Sequence, residues 1–234
     1  MATAITSLVT VVRGHLNEAA ARFWSDSELI ALMTLGARDL WKAINDDFQD
    51  YFLTINESGS VSQPAEATTL SGIPTDVSRI HLIEPIDQDQ FCNITYAPKR
   101  YDHPDFCAAR AQPSVDSAMQ MIYYHVSQAG APVGAPTIDV APKVRTAIPL
   151  RLVYVPTLVA FTTASANPIP GETDMALVAW TVAFARAKER EDRSPDPGWL
   201  AIYGNEKQNT LVSLTPRQVQ EPDVVEGVFD EYWQ

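Results

Sequence analysis

The sequence predicts an α+β fold. In it, a four-helix bundle-like core carries a β-rich insertion, an antiparallel sheet or sandwich, between its second and third helices. Three observations lead to this prediction. Apolar residues recur at helical spacing up to about residue 50. Short alternating runs separated by turn residues follow, up to about residue 169. Helical spacing then returns up to about residue 215, and no periodicity is left after it.

These changes of pattern divide the chain into three predicted parts. Residues 1–50 and 170–215 form a helical core domain, residues 51–169 form a β-rich insertion domain, and residues 216–234 form an extended C-terminal arm. Both helical pairs have apolar stripes that need covering, so they are expected to pack into one bundle. The insertion is then expected to project from that bundle as a second lobe.

The first two helices are predicted from local signals. An apolar stripe from Ile5 to Phe23 indicates the first helix. The second begins at Ser25 and Glu28, whose spacing is that of a capping box with Ser25 as the N-cap. Gly36 lies on the apolar face of this helix. Because glycine lowers helix propensity, its presence there is expected to allow another helix to approach closely.

Strands are predicted in the insertion from alternating apolar residues. Ile80 and Leu82 alternate with polar neighbours, which is typical of a half-buried strand. Further strands are predicted within residues 119–130 and over residues 148–156, where Leu150, Leu152 and Tyr154 share one face. Pro156 ends the last of these, because proline cannot donate to a β-ladder.

The last two helices are predicted after residue 170. The third, over residues 173–192, has two neighbouring apolar stripes, which is typical of a helix covered on more than one side. The fourth starts with Asp196 as N-cap and Pro197 at the first helical position, and Pro216 closes it.

Charge and composition limit the classes of function. The net charge of −12 argues against a surface that binds nucleic-acid phosphates, because such surfaces are basic. It does not exclude a protein that lets DNA slide past it. No apolar run is long enough for a membrane span, and Arg13 interrupts an opening segment that lacks the basic region of a signal peptide. Cys92 and Cys107 are expected to be reduced.

The residue types that catalysis uses are scattered. The four histidines have no metal-binding spacing, and no nucleophile elbow, P-loop or dinucleotide fingerprint is present. Asp102, His103 and Asp105 could hold a cation, but His-Pro-Asp at the start of a short candidate helix is the favoured interpretation. The acidic pairs at 46–47 and 191–192 are interpreted as solvated helix faces. The sequence therefore predicts a protein that is not an enzyme and has no metal or cofactor.

Four stretches together resemble the head-to-tail connector (adaptor) proteins of tailed bacteriophages. RFWSDSELIALMTLGARDLWKA is similar to the Trp-Ser/Thr-Asp-x-Glu-Leu opening of an early helix in that family. SGIPTDVSRIHLIE is similar to its Pro-x-Asp-hydrophobic strand start, and LRLVYVPTL to its Tyr-x-Pro strand end. IPGETDMALVAWTVAFARAKERED is similar to the Ile-Pro start of its long Ala-rich helix. The stretches span most of residues 20–193.

This resemblance implies a structural virion protein at the head–tail junction, assembled in the host cytoplasm. Its copies would form a ring, usually a dodecamer, beneath the portal, and would join the capsid to the tail. Its partners would be the portal protein, a tail or nozzle protein and other copies of itself. DNA would pass through the central channel without specific binding. A closed ring also suits helices that are apolar on more than one side, since those helices need neighbours.

The C-terminal arm carries the predicted partner-binding residues. In the connector family this segment often reaches onto the portal, and aromatics among carboxylates are typical of a segment that becomes ordered on binding. The alternative is that these side chains fold back onto the chain's own bundle. The residues predicted to bind the portal or a neighbouring subunit are Val224, Val225, Val228, Phe229, Tyr232 and Trp233.

Two other functions stay open at the level of sequence. The same architecture would suit a tail-completion or stopper protein lower in the tail. A carbohydrate-binding module would instead use Tyr101, Tyr123 and Tyr124 as exposed platforms on the β-rich lobe, although aromatics in strands are more often core residues.

Overall fold

The fold is α+β, as predicted, and its described residues form two compact units. One unit contains the described residues of Met1–Tyr51 and Ala160–Gln234, and the other contains those of Phe52–Val159. The structure, a computed structural model, describes residues 3–18, 23–48, 51–87, 91, 94–115, 120–127, 136–169, 173–189 and 194–214.

The second boundary of the inserted unit lies earlier than the sequence pattern predicts. Residues 160–169 belong to the helical unit, although the pattern assigns them to the insertion. The backbone N–H of Ile5 donates to the carbonyl of Ser165 (3.0 Å), and that of Asn167 donates to the carbonyl of Thr3 (2.9 Å). These bonds hold an irregular segment along the start of the first helix. Because the segment is irregular, its sequence has no helical or strand periodicity from which its unit could be predicted.

Five helices lie in the described ranges, four of them in the helical unit. The central one in that unit packs against the other three, and its buried face includes Ala176, Val178, Ala179 and Val182. This confirms the prediction of a helix covered on more than one side. The helices are α1 (Ile5–His15), α2 (Asp26–Asp47), α3 (Pro104–Arg110, in the other unit), α4 (Asp174–Glu189, the central helix) and α5 (Pro197–Ser213).

Two helix starts confirm the predicted caps. At α2, Ser25 Oγ accepts from the Glu28 N–H (3.3 Å), and Glu28 Oε2 accepts from the Ser25 N–H (3.0 Å), which completes the capping box. At α5, Asp196 Oδ1 accepts from the N–H groups of Gly198 and Trp199 (3.0 and 3.3 Å). Both caps satisfy backbone donors that a helix start otherwise leaves without a partner.

The predicted first stripe is wrong at its far end. α1 ends at His15, and Phe23, the last residue of that stripe, is exposed. Asn17 adopts a φ of 53°, in the left-handed region where helices commonly end. The helix therefore stops before its apolar pattern does.

The other unit contains seven strands in two sheets, as far as the described residues go. The strands are β1 (Thr54–Asn56), β2 (Ser62–Gln63), β3 (Val77–Pro85), β4 (Ile94–Pro98), β5 (Gln120–Ser127), β6 (Thr137–Ala141) and β7 (Ile148–Pro156). In the first sheet, β7 pairs antiparallel with three other strands, β1, β2 and β3. In the second, β5 lies between β4 and β6.

The second sheet is mixed, whereas the sequence predicted antiparallel pairing. β4 and β5 run parallel, with Tyr96 opposite Ile122, and β5 and β6 run antiparallel. The chain between β4 and β5 contains α3, and such a crossover lets a strand return in the same direction. Loop length and the candidate helix were visible in the sequence, but the partner of each strand was not.

One strand departs from the predicted alternation because of a bulge. β3 pairs Ile80 with Tyr154 but Leu82 with Val153, so the register shifts between them. A shift by one residue moves the following side chains to the other face. Leu82 is therefore 41% exposed, and Ile83 takes the core position instead. In β7 the prediction is confirmed, since Leu150, Leu152 and Tyr154 are all buried and Pro156 ends the strand.

Candidate interaction surface

The predicted partner-binding residues lie outside the described residues. The same holds for Cys92 and the acidic pair at 191–192. The six residues of this predicted set are Val224, Val225, Val228, Phe229, Tyr232 and Trp233.

An apolar groove runs along one side of α2 in the helical unit, and we call it the α2 groove. Its volume is about 480 Å³, within the range of pockets that hold small ligands or large side chains. One wall is α2 and the other is the segment of residues 160–163. The lining residues are Ser27, Ile30, Ala31, Thr34, Leu35 and Arg38, together with Ala160, Phe161, Thr162 and Thr163.

The groove lies on the side of α2 that faces away from α4. Gly36 marks the side facing α4, because a Cβ there would meet the indole of Trp180. Successive residues of an α-helix are rotated by about 100°. Thr34 and Arg38, two positions away from Gly36, therefore lie on the opposite side of the helix. The bundle uses one face of α2 and leaves the other to the groove.

Thr34 joins the two walls of the groove. Its hydroxyl donates to the carbonyl of Ile30 (2.9 Å) and accepts from the backbone N–H of Phe161 (3.1 Å). Both Thr34 and Phe161 are buried. The hydrogen bond connects residues 127 positions apart and fixes the shape of the groove.

The open side of the groove is apolar along most of its length and basic at one end. Leu35 is 51% exposed, and Ala31, one turn earlier, is exposed as well. Arg38 is exposed and lines the C-terminal end of the groove, and Lys42, also exposed, lies one turn further along α2, outside the lining. When a partner covers an exposed apolar patch on a helix, the complex gains about 25 cal/mol of free energy per Å² of apolar area removed from water.

Sequence reasoning did not find this groove. Leu35 lies outside the apolar stripe that predicted α2, and Phe161 lies far away in the chain. A second, weaker apolar stripe through Ala31 and Leu35, spaced i to i+4, was the one available signal. Its covering wall could not be inferred, because residues 160–163 have no regular structure.

Two polar contacts join α2 to its neighbours in the bundle. Lys188 Nζ donates to Glu28 Oε1 (2.7 Å) and lies 4.2 Å from the ring centroid of Trp24. Hydrogen bonds from Lys188, and then from Ser25, lower the pKa of Glu28 to about 2. The carboxylate of Glu28 is therefore charged at neutral pH, as the positive end of the helix dipole favours.

The second contact joins α2 to α5. Asp39 accepts hydrogen bonds from the Tyr203 hydroxyl and from Lys207 Nζ, the latter at 2.7 Å. Burial raises the pKa of Asp39, but the hydrogen bonds from Lys207 and Tyr203 outweigh it and hold the pKa below its usual value. Burial and the bond to Asp39 raise the pKa of Tyr203.

The cluster of Asp102, His103 and Asp105 is a helix start, as the favoured interpretation had it. His103 Nδ1 accepts from the Asp105 N–H (3.2 Å) as the N-cap of α3, and Asp105 pairs with Lys99 (3.2 Å). Within the described ranges, no group of three or more His, Cys, Asp or Glu side chains is placed to hold a metal ion. Cys107 is exposed and not in a disulfide.

The three tyrosines considered for carbohydrate binding do not form an exposed platform. Tyr124 is buried in the core of the inserted unit, and Tyr123 is half-buried against the cluster around Phe106. Tyr101 is exposed, but the guanidinium of Arg110 lies 4.8 Å from its ring centroid. The favoured interpretation, that aromatics in strands are core residues, holds for Tyr123 and Tyr124, which pack on opposite faces of β5.

Comparison with known proteins gives no family. No protein-family model matches the chain, and no curated protein matches it in sequence. Of the helices in the described ranges, none has the length and apolar character needed to cross a bilayer.

Proposed function

We propose that the protein is a structural virion protein of a tailed bacteriophage, a head-to-tail adaptor. In this proposal its copies form a ring, a dodecamer by the resemblance to connector proteins, beneath the portal. The ring joins the capsid to the tail and continues the DNA channel. The protein acts through contacts with the portal, with a tail or nozzle protein and with its own copies, and it is not an enzyme.

The α2 groove is the observation that carries this proposal. A ring is built from heterologous contacts, in which one surface of each copy faces a different surface of the next. Such contacts need an apolar centre with a polar or charged rim. The groove has this composition, with Leu35 and Ala31 along it and Arg38 at its end.

The order of units along the chain also supports the proposal. Both ends of the described chain contribute to the helical unit, and the β-rich unit is inserted between them. This is the layout that the resemblance to connector proteins implies. The net charge of −12 suits a channel that repels phosphates and lets DNA pass without specific binding. The protein is then assembled in the host cytoplasm and located at the head–tail junction.

The experiment that tests the proposal combines the purified full-length chain with portal rings of its phage. Negative-stain electron microscopy is expected to show rings, alone or formed on the portal, and mass photometry to show the matching mass. A chain that stays monomeric and leaves the portal particle unchanged would count against the adaptor function. Cryo-electron microscopy of the virion then gives the position, and density lower in the tail would favour a tail-completion or stopper protein.

A further inference from the structure

The α2 groove has the chemistry to bind an acidic segment with large apolar side chains. Ala31 and Leu35, exposed in the middle of its α2 wall, are apolar; Ser27 lines the N-terminal end, Arg38 lines the other end, and Lys42 follows a turn later. Apolar anchors would bind along the middle part and carboxylates would bind at the basic end.

One segment of this chain has that composition. Residues 224–233 contain three valines, a phenylalanine, a tyrosine and a tryptophan, interleaved with the acids Glu226, Asp230 and Glu231. Tyrosine and tryptophan are enriched among residues that dominate binding energy. The acids match the charge of Arg38 and Lys42.

The chain after α5 gives the segment a reach comparable to the length of α2. α5 ends at Ser213, and Val224, the first residue of the segment, follows Leu214 by ten residues. An extended chain of ten residues spans about 33 Å at roughly 3.3 Å per residue. α2, with its 22 residues, is also about 33 Å long.

We propose that the α2 groove of one copy binds residues 224–233 of a neighbouring copy. The inference rests on the proposed function, because a ring requires two different, complementary surfaces on each chain, and the groove and this segment are such a pair. Phe229, Tyr232 and Trp233 occupy the apolar part of the groove. Asp230 and Glu231 pair with Arg38 and Lys42.

Photo-cross-linking in the full-length chain tests this contact. A benzophenone amino acid replaces Ala31 in the groove or, as a matched control, Val212, which is 86% exposed on α5. The Ala31 probe is expected to cross-link to a peptide within residues 224–233 and to give dimers and larger species on a denaturing gel. Cross-links to other segments, to the portal or within one copy would overturn the proposal, as would a yield no higher than that of the Val212 probe.

Substitutions give a second measurement. With the probe at Ser27, Leu35→Gln or Trp233→Ala is expected to lower the cross-linking yield about tenfold, the scale of a lost anchor residue. Val212→Gln, a matched exposed change, is expected to leave the yield unchanged. Circular dichroism establishes that each variant is folded. An unchanged yield in folded Leu35→Gln would contradict the proposal.

The two proposals fail in different ways. If rings form on the portal but the Ala31 probe does not reach residues 224–233, the groove assignment is wrong and the adaptor function stands. If the cross-link forms between copies but no ring or portal complex is found, the groove assignment stands and the adaptor function is wrong.

Discussion

Gly36 of α2 lies against the indole of Trp180 of α4, so closely that a Cβ built on the glycine would be 2.6 Å from Cγ and 2.7 Å from Cδ1 of the tryptophan. Real Cβ atoms essentially never show contacts this short. The glycine lets the two helix backbones approach at this point, as its place on the apolar stripe predicted.

Replacing Gly36 with alanine is expected to destabilise the protein although alanine favours helix. The propensity gain is about 1 kcal/mol, but overpacking in a filled core costs about 1–3 kcal/mol. Urea unfolding followed by circular dichroism measures the balance. Gly204→Ala in α5 is the matched control, because a Cβ there has nothing within 4 Å, and it is expected to stabilise by about 0.5–1 kcal/mol. Equal effects of the two substitutions would contradict the close-approach argument.

The hydrogen bond between Thr34 and Phe161 makes a second prediction. Thr34→Val keeps the shape of the side chain but leaves the buried N–H of Phe161 without its acceptor, at a cost of about 1–3 kcal/mol. Hydrogen exchange at the Phe161 amide is expected to become faster.

The control for this change is Thr181→Val in α4. Thr181 is also buried and also donates to the carbonyl four residues earlier, that of Leu177 (2.7 Å). The difference between the two variants therefore isolates the bond to Phe161. If both lose the same free energy of unfolding, the bond does not hold the wall of the groove.

The Asp39 contact predicts a pH dependence of stability. Its folded pKa lies below its usual value, so the carboxylate stabilises the folded state above about pH 4. This contribution is lost as the pH falls through the folded pKa. Asp39→Asn is expected to reduce the acid dependence of the free energy of unfolding. The loss at neutral pH is less than about 1 kcal/mol, since the Asp39 side chain is 41% exposed. Asp46→Asn, an exposed change on the same helix, is the control, and an equal effect there would argue against a specific role for Asp39.

A buried hydrogen-bond chain in the inserted unit gives the fourth prediction. The Tyr96 hydroxyl donates to Gln63 Oε1 (2.7 Å), and Gln63 Nε2 donates to the carbonyl of Pro142 (3.2 Å). Tyr96→Phe is expected to cost about 1–3 kcal/mol, because the Gln63 oxygen is left buried without its donor. Thermal unfolding measures the loss.

The double variant Tyr96→Phe/Gln63→Leu, compared with the two single variants, measures the coupling energy between these two side chains. Removing both partners is expected to cost less than the sum of the two single changes. Additive losses would show that the two side chains are not coupled.

Much of the fold followed from local sequence. The capping box at Ser25 and Glu28 and the Asp196 cap depend on residues within one helical turn, so the sequence contains all of the information. The same holds for the inward face of β7 around Leu152, which needs only alternation along one strand.

The remainder depended on contacts between distant residues. The bulge that exposes Leu82 depends on how β3 pairs with β7, and the parallel pairing of Tyr96 with Ile122 depends on the choice of partner strand. The groove required Phe161 to be placed against α2 by Thr34. No local pattern encodes such pairings, since each is decided by which surfaces meet in three dimensions.

The position of β7 also determines when the inserted unit can fold. β1, β2 and β3 all hydrogen-bond to β7, yet β7 is the last of the described strands to leave the ribosome. In the helical unit, α1 and α2 are likewise synthesised before α4, the helix that packs against both of them. Each core is thus closed by a late-synthesised element, and the earlier segments stay without their main partner during translation. Nascent chains that stop before Ile148 are expected to be cleaved readily by protease over residues 52–147. Chains long enough for Pro156 to have left the exit tunnel are expected to be protected over the same residues.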